Sequence, residues 1–168
     1  MQKNVYPIFL IFMTFLISCE SNVFNPRILP APLLQPQQNN QTESIRFGGL
    51  FHTSSTIWDL AVSEEYYLKN FDIRHYAAID SIIFSPIISA NDSGGQVYVE
   101  LFNLTDNVPI INSRLVSNAG NFDPVFTKNI LRYFPSKKID LALRLKSETG
   151  EEVSGYFANL FIYKSVVD

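Results

Sequence analysis

Ile139-Asp140-Leu141-Ala142-Leu143-Arg144-Leu145-Lys146, IDLALRLK at residues 139–146, sets a large aliphatic side chain at every second position. A helix of 3.6 residues per turn would scatter these side chains around its axis, whereas an extended chain turns successive side chains to opposite faces. The stretch therefore predicts a β-strand. Ile139, Leu141, Leu143 and Leu145 face a core, and Asp140, Ala142, Arg144 and Lys146 face outward.

The same period recurs elsewhere. Val97, Val99 and Leu101 alternate with Tyr98, Glu100 and Phe102, and Ile79, Ser81 and Ile83 with Asp80, Ile82 and Phe84. Tyr156 to Tyr163 (YFANLFIY) is apolar on both faces apart from Asn159, the pattern of an inner strand. Runs of turn-forming residues separate these segments at Asn91–Gly95, Thr105–Asn107, Asn118–Asn121 and Glu148–Glu151. Spacing over Asp59–Asn70 would admit a short helix, but the following IRHYAAIDSIIF (residues 73–84) is rich in β-branched and aromatic residues and favours strand. Eight or nine closely spaced strands make the expected fold all-β, a single antiparallel β-sandwich over residues 45–168.

Composition narrows the function. The net charge of −3 offers no basic field for nucleic acid. Apolar residues at 46 % are enough for a packed core in one domain. The single cysteine, Cys19, excludes an internal disulfide.

Cys19 stands directly behind an apolar run. Lys3 precedes Val5–Ile17, whose thirteen residues as a helix would cover roughly 20 Å, short of the roughly 30 Å of a bilayer core. That length suits the central region of a secretory signal. Leu16-Ile17-Ser18-Cys19 then resembles the lipobox of bacterial lipoproteins: leucine, a permissive residue, a small residue, cysteine. The resemblance implies a signal peptide over 1–18, removal of that segment, and acylation of Cys19 by lipid chains that anchor the protein in a membrane. Glu20 after the cysteine, in place of the aspartate that retains some lipoproteins at the inner membrane, implies the outer membrane.

Residues 19–44 follow with four prolines, Pro26, Pro30, Pro32 and Pro36, and a polar Gln/Asn tract. Proline removes donors and the polar tract has nothing to bury, so the segment is expected to be a disordered tether. The alternative is an irregular strap packed on the domain through Ile28, Leu29, Leu33 and Leu34.

Within the domain, YAAIDSIIFSPIIS, VYVELFNLTDNVPIINSRL, IDLALRLKSETG and YFANLFIY resemble the jelly-roll sandwiches of exported bacterial proteins, carbohydrate-binding modules among them. The likeness centres on Glu100–Asp106 and Ile110–Ser113, read as a hairpin whose next strand restarts at Ile110. It implies a jelly-roll-like fold, and it carries no catalytic signature.

Candidate chemistry is sparse. His52 and His75 lack metal-ligand spacing, and no metal or cofactor is expected. Asp59, Glu64, Glu65, Asp72, Asp80 and Glu100 include no pairing visible from spacing, and neither a phosphate loop nor a serine-nucleophile motif occurs; the chain is expected not to be an enzyme. Asp92-Ser93-Gly94-Gly95 has only a superficial likeness to a calcium loop. Trp58, Tyr66, Tyr67 and Tyr76 are the candidate ligand-binding residues, because flat aromatic faces stack on sugar C–H faces; packing at a sandwich rim is the alternative role for a lone tryptophan. The expected function is a lipid-anchored envelope protein presenting a binding module for a glycan, or else docking a partner protein of the envelope.

Overall fold

In a computed structural model, residues 41–60, 63–91 and 94–165 are described. The expected signal peptide, Cys19 and the tether up to residue 40 lie outside the described residues, as do Asp92 and Ser93 of the glycine-rich turn.

Ten strand segments occur among the described residues: β1 Gln41–Thr53, β2 Asp59–Leu60, β3 Leu68–Phe71, β4 Ile79–Ser89, β5 Val97–Asn103, β6 Val108–Pro109, β7 Leu115–Ser117, β8 Asp123–Pro124, β9 Ile139–Ser147 and β10 Val153–Lys164. They form two sheets. One has the order β1-β10-β4-β8; the other has β2-β9-β5-β6, with β3 also on β9 and β7 also on β5. Every pairing is antiparallel.

The pairings nest. β1 pairs with β10, β2 and β3 with β9, β4 with β8, and β5 with β6 and β7. The chain is thus one long antiparallel hairpin. Its two arms roll up when β10 also pairs with β4 and β9 with β5. That connectivity is a jelly roll: along each arm of the hairpin the paired positions β1/β10, β2–β3/β9, β4/β8 and β5/β6–β7 fall alternately in the two sheets.

The core lies between the sheets. Ile139, Leu141, Leu143 and Leu145 of β9, Val97, Val99 and Leu101 of β5, Ile82, Phe84 and Ile88 of β4, and Ala158, Leu160 and Ile162 of β10 are all buried there. The alternation in 139–146 and 97–101 translates directly into this inner face. β10 is an inner strand with a neighbour on each side, while Phe157, Phe161 and Tyr163 on its second face are half-buried. The ladder between β10 and β4 shifts register between Gly155 and Ala158, where Pro86 interrupts β4 and cannot donate.

Three features differ from the expectation. β1 begins at Gln41, ahead of Ile45, because Gln41 to Ser44 pair with Lys164 to Phe161 of β10 even though their side chains are exposed. The Asp59–Asn70 stretch holds two short strand pieces and a 3-10 turn over Glu64–Tyr66. Ile110 does not begin a strand: β6 spans only Val108–Pro109, and Ile110 lies buried in the turn before β7.

Ser113 explains that turn. Its hydroxyl accepts the Leu101 N–H at 3.0 Å and donates to the Ile110 carbonyl at 2.7 Å, bridging the β5 edge where β6 has ended and β7 has not begun. The edge of β4 is closed in a similar way. Thr127 Oγ1 accepts the Phe84 N–H at 2.9 Å and Asn129 Oδ1 the Ile82 N–H at 3.2 Å. With Thr127 and Asn129 engaged with β4, the alternate residues Phe126 and Lys128 remain exposed.

Candidate functional site

The outward face of the β5–β9 sheet carries a cluster of aromatic and charged side chains. Cross-strand register sets Tyr98 opposite Lys146, Glu100 opposite Arg144 and Phe102 opposite Ala142. Side chains directly opposite each other on antiparallel strands share a face and interact. Here that rule builds alternating rows of aromatic rings and charges.

Glu100 is the centre. Although outward-facing, it is 1 % exposed. Its Oε1 accepts Arg144 Nε at 3.1 Å and is also bonded by Arg144 Nη2. Its Oε2 accepts Arg114 Nη2 at 3.0 Å and Nε at 3.3 Å. One carboxylate thus takes two guanidinium forks, the geometry in which charge-assisted hydrogen bonds are strongest. A buried carboxylate without such partners would be costly, so Glu100 and the two arginines form one unit. Arg144 is further held over the Phe102 ring, 3.8 Å from its centroid, which accounts for the burial of Phe102 on an outer face.

Trp58 lies on the same cluster. The guanidinium carbons of Arg114 and Arg144 are 4.9 Å and 5.6 Å from its ring centroid, and Lys146 Nζ is 5.5 Å away. Lys146 also sits 4.8 Å from the Tyr98 ring. Asp59, the next residue, accepts the Thr53 hydroxyl at 2.8 Å and pairs in register with inward-facing Leu145. Around Trp58 the face therefore holds Arg114, Arg144 and Lys146, with Glu100 the carboxylate that binds the two arginines.

A cavity of about 720 Å³ adjoins the cluster and shares Glu100 and Arg114 with it. The turn and strand over 109–115 form one wall and residues 126–129 beside β4 form the other. Ile111 and Phe126, 61 % and 58 % exposed, stand in its lining with Lys128.

The other expected binding aromatics have different surroundings. The Tyr66 ring covers Gly49 so closely that a Cβ built on Gly49 would lie 2.3 Å from Tyr66 Cε1. Tyr76 packs on the core beside Phe71, with ring centroids 6.0 Å apart, and under Lys164 Nζ at 5.2 Å. Burial of Tyr76, with the Glu43 carboxylate nearby, pushes its hydroxyl pKa up. Tyr67 is half-buried beside Tyr66 at the end of the 3-10 turn. These contacts place Trp58 with arginine and lysine side chains, and Tyr66 and Tyr76 in other neighbourhoods.

The scattered carboxylates are likewise engaged. Asp72 is buried, caps the turn over Ile73–His75, and binds Arg74 through Nε at 2.9 Å and Nη2 at 2.6 Å. The Arg74 guanidinium holds this carboxyl well below the usual carboxylate range. Lys137, with the Asn103 amide at 2.8 Å, lowers Asp106 in the same sense. Glu64 pairs with Lys69 at 3.1 Å, and Asp80 with the Ser165 hydroxyl. His52 bonds Ser154 Oγ at 2.8 Å, and no group of three or more potential metal ligands gathers among the described residues. Among those residues, no helix is long and apolar enough to cross a membrane.

Sequence reasoning placed Arg144, Lys146 and Tyr98 on outward positions without giving them a role, and missed Arg114. The signal was available in part: the last two outward residues of IDLALRLK, Arg144 and Lys146, are basic, and those of VYVELF are acidic and aromatic. Their meeting depends on the β5–β9 register, which no single stretch contains.

No protein-family model matches the sequence, and no curated protein matches it significantly. Among solved structures, the VP2 subviral particle of infectious bursal disease virus is similar with a TM-score of 0.41 and 12 % identity, over 83 % of this chain and 42 % of that one. A structure of the Gx strain of that virus gives 0.39 and 11 %, over 83 % of this chain and 41 % of the other. The present chain thus spans less than half the length of either, and the jelly-roll assignment rests on its own strand register.

Proposed function

We propose that the chain is a bacterial lipoprotein, acylated on Cys19 and held at the outer membrane, whose sandwich is a non-catalytic binding module for a glycan. Leu16-Ile17-Ser18-Cys19 behind the Val5–Ile17 apolar run supports the anchor. The observation that carries the binding role is Trp58, half-buried on an outward sheet face beside an open cavity. An aromatic face next to polar and charged side chains suits a sugar ring, which has both C–H faces and hydroxyl edges. Trp58 carries the proposal, since Tyr66 and Tyr76 are committed to Gly49 and to Phe71. A non-catalytic role fits the engagement of Glu100 by two guanidiniums, a positioning contact in which neither carboxylate oxygen stays unbonded.

Two measurements test this. Mass spectrometry of the protein purified from its bacterial membranes should give a chain that starts at Cys19 and carries acyl groups; an unmodified thiol refutes the anchor. Titration of the full-length protein against a broad glycan panel should find a ligand, with Trp58→Ala weakening it; silence across the panel refutes the binding role.

A second reading is docking of an envelope protein. Exposed Val108, Ile111 and Phe126, the latter two in the cavity lining, favour it. Cross-linking in native membranes that recovers one stoichiometric partner would select this reading over the first.

A further inference from the structure

We infer that the saccharide taken at the Trp58 face is an acidic one, bearing carboxylate or sulfate groups. The inference rests on the glycan-binding reading and adds to it the chemistry of the ligand.

The first argument is charge. Arg114, Arg144 and Lys146 converge on one indole, and among the described residues Glu100 is the one carboxylate paired with the two arginines, in a chain whose net charge is −3. Like charges held this close repel one another, and an incoming anion relieves that repulsion.

The second argument is donor capacity. Arg114 gives Nε and Nη2 to Glu100 and is 59 % exposed, which leaves Nη1 able to donate to a ligand oxygen. Glu100 thereby orients a guanidinium for an outside acceptor. Lys146 lies over the Trp58 and Tyr98 rings and has no carboxylate within ion-pair distance among the described residues. A cation–π contact fixes the ammonium in place without neutralising it.

The third argument is shape. Arg114 belongs both to the indole cluster and to the cavity wall, where Lys128 also has no anionic partner among the described residues. A sugar ring on Trp58 can present one acidic group to Arg114 and Lys146, and a following residue can enter the cavity toward Lys128. A nucleic acid would also meet aromatic and basic groups, but an acidic chain with one compact basic face lacks the extended track that a phosphate backbone follows.

The test is calorimetric titration of the full-length protein with four oligomers of similar length: oligogalacturonate, sulfated chondroitin oligosaccharide, a neutral cello-oligosaccharide and oligothymidylate. An acidic saccharide should bind about tenfold more tightly than the neutral one at low salt, and raised salt should narrow that gap. Lys146→Gln should weaken acidic binding about fivefold and lower the melting temperature by only a few degrees, since it removes cation–π contacts and no ion pair seen among the described residues. Neutral binding equal to acidic binding, or acidic binding indifferent to Lys146→Gln, overturns the inference and leaves the glycan module standing. Oligothymidylate binding more tightly than every saccharide overturns the inference. No binding by any saccharide overturns the module reading itself.

Discussion

Glu100 and Arg144 are register partners on β5 and β9, and their ion pair lies on the outward face of the sheet, 1 % exposed at Glu100. Arg114, fourteen residues along the chain from Glu100, completes the unit from the turn before β7. The pair thus joins two neighbouring strands and a connecting turn, and it also fixes the cations that surround Trp58. The stability of this face and the placement of the cations around Trp58 depend here on the same carboxylate.

Removing that carboxylate should therefore cost more than removing either arginine. Glu100→Ala leaves two guanidiniums together without their counter-charge and should destabilise by about 2 kcal/mol, below the full figure for a buried pair because Arg114 can turn to solvent. Arg114→Ala should cost under about 1 kcal/mol, as expected of an exposed partner. Urea denaturation measures both. An Arg114→Ala loss equal to or greater than that of Glu100→Ala would contradict the arrangement.

Ser113 replaces a missing stretch of strand. Ser113→Ala leaves the buried Leu101 N–H without its acceptor and should cost about 1–3 kcal/mol. Hydrogen exchange at the Leu101 amide should accelerate selectively. Unchanged protection there would mean the β5 edge is closed by something other than this hydroxyl.

Gly155 tests the packing of the two sheets. A Cβ there would meet the Phe51 ring at 2.8 Å and Leu145 Cδ2 at 3.0 Å, one contact from β1 and one from the opposite sheet. Gly155→Ala should destabilise by about 1–3 kcal/mol through overpacking. A neutral substitution, read by thermal denaturation, would show that the sheets are more loosely apposed.

Acid should unfold the domain partly through Asp72 and Asp106. Arg74 and Lys137 lower these carboxyls in the folded state, so the unfolded chain binds more protons as the pH falls below its carboxylate values of about 4. Their stabilisation is complete above that range and is lost as pH drops toward the folded-state values. Melting temperatures should fall with acidification below about pH 4, and the slope should flatten in the Asp72→Asn, Asp106→Asn double variant. Equal slopes in both proteins would remove these residues from the account.

Much of the fold was legible because it follows from side chains two positions apart. The buried faces of β5 and β9 are written in Val97-Val99-Leu101 and in Ile139 to Leu145, and the inner place of β10 in its apolarity on both faces. Gln41 to Ser44 were illegible as strand, since they pair through backbone while their side chains stay in water. β2, β6 and β8, two residues each, are too short for any periodicity. Trp58 was legible as a candidate on residue type alone. Its cationic surroundings were not, because Arg114, Arg144 and Lys146 reach it only after the hairpin is rolled up.

Trp58 is the sole tryptophan, so fluorescence of the full-length protein excited at the red edge, where tyrosine does not absorb, reports on this face. Titration with an acidic oligosaccharide that binds calorimetrically should shift Trp58 emission along a saturable curve with the same midpoint. Calorimetric binding that leaves the emission unchanged would put the ligand elsewhere on the molecule and contradict the account.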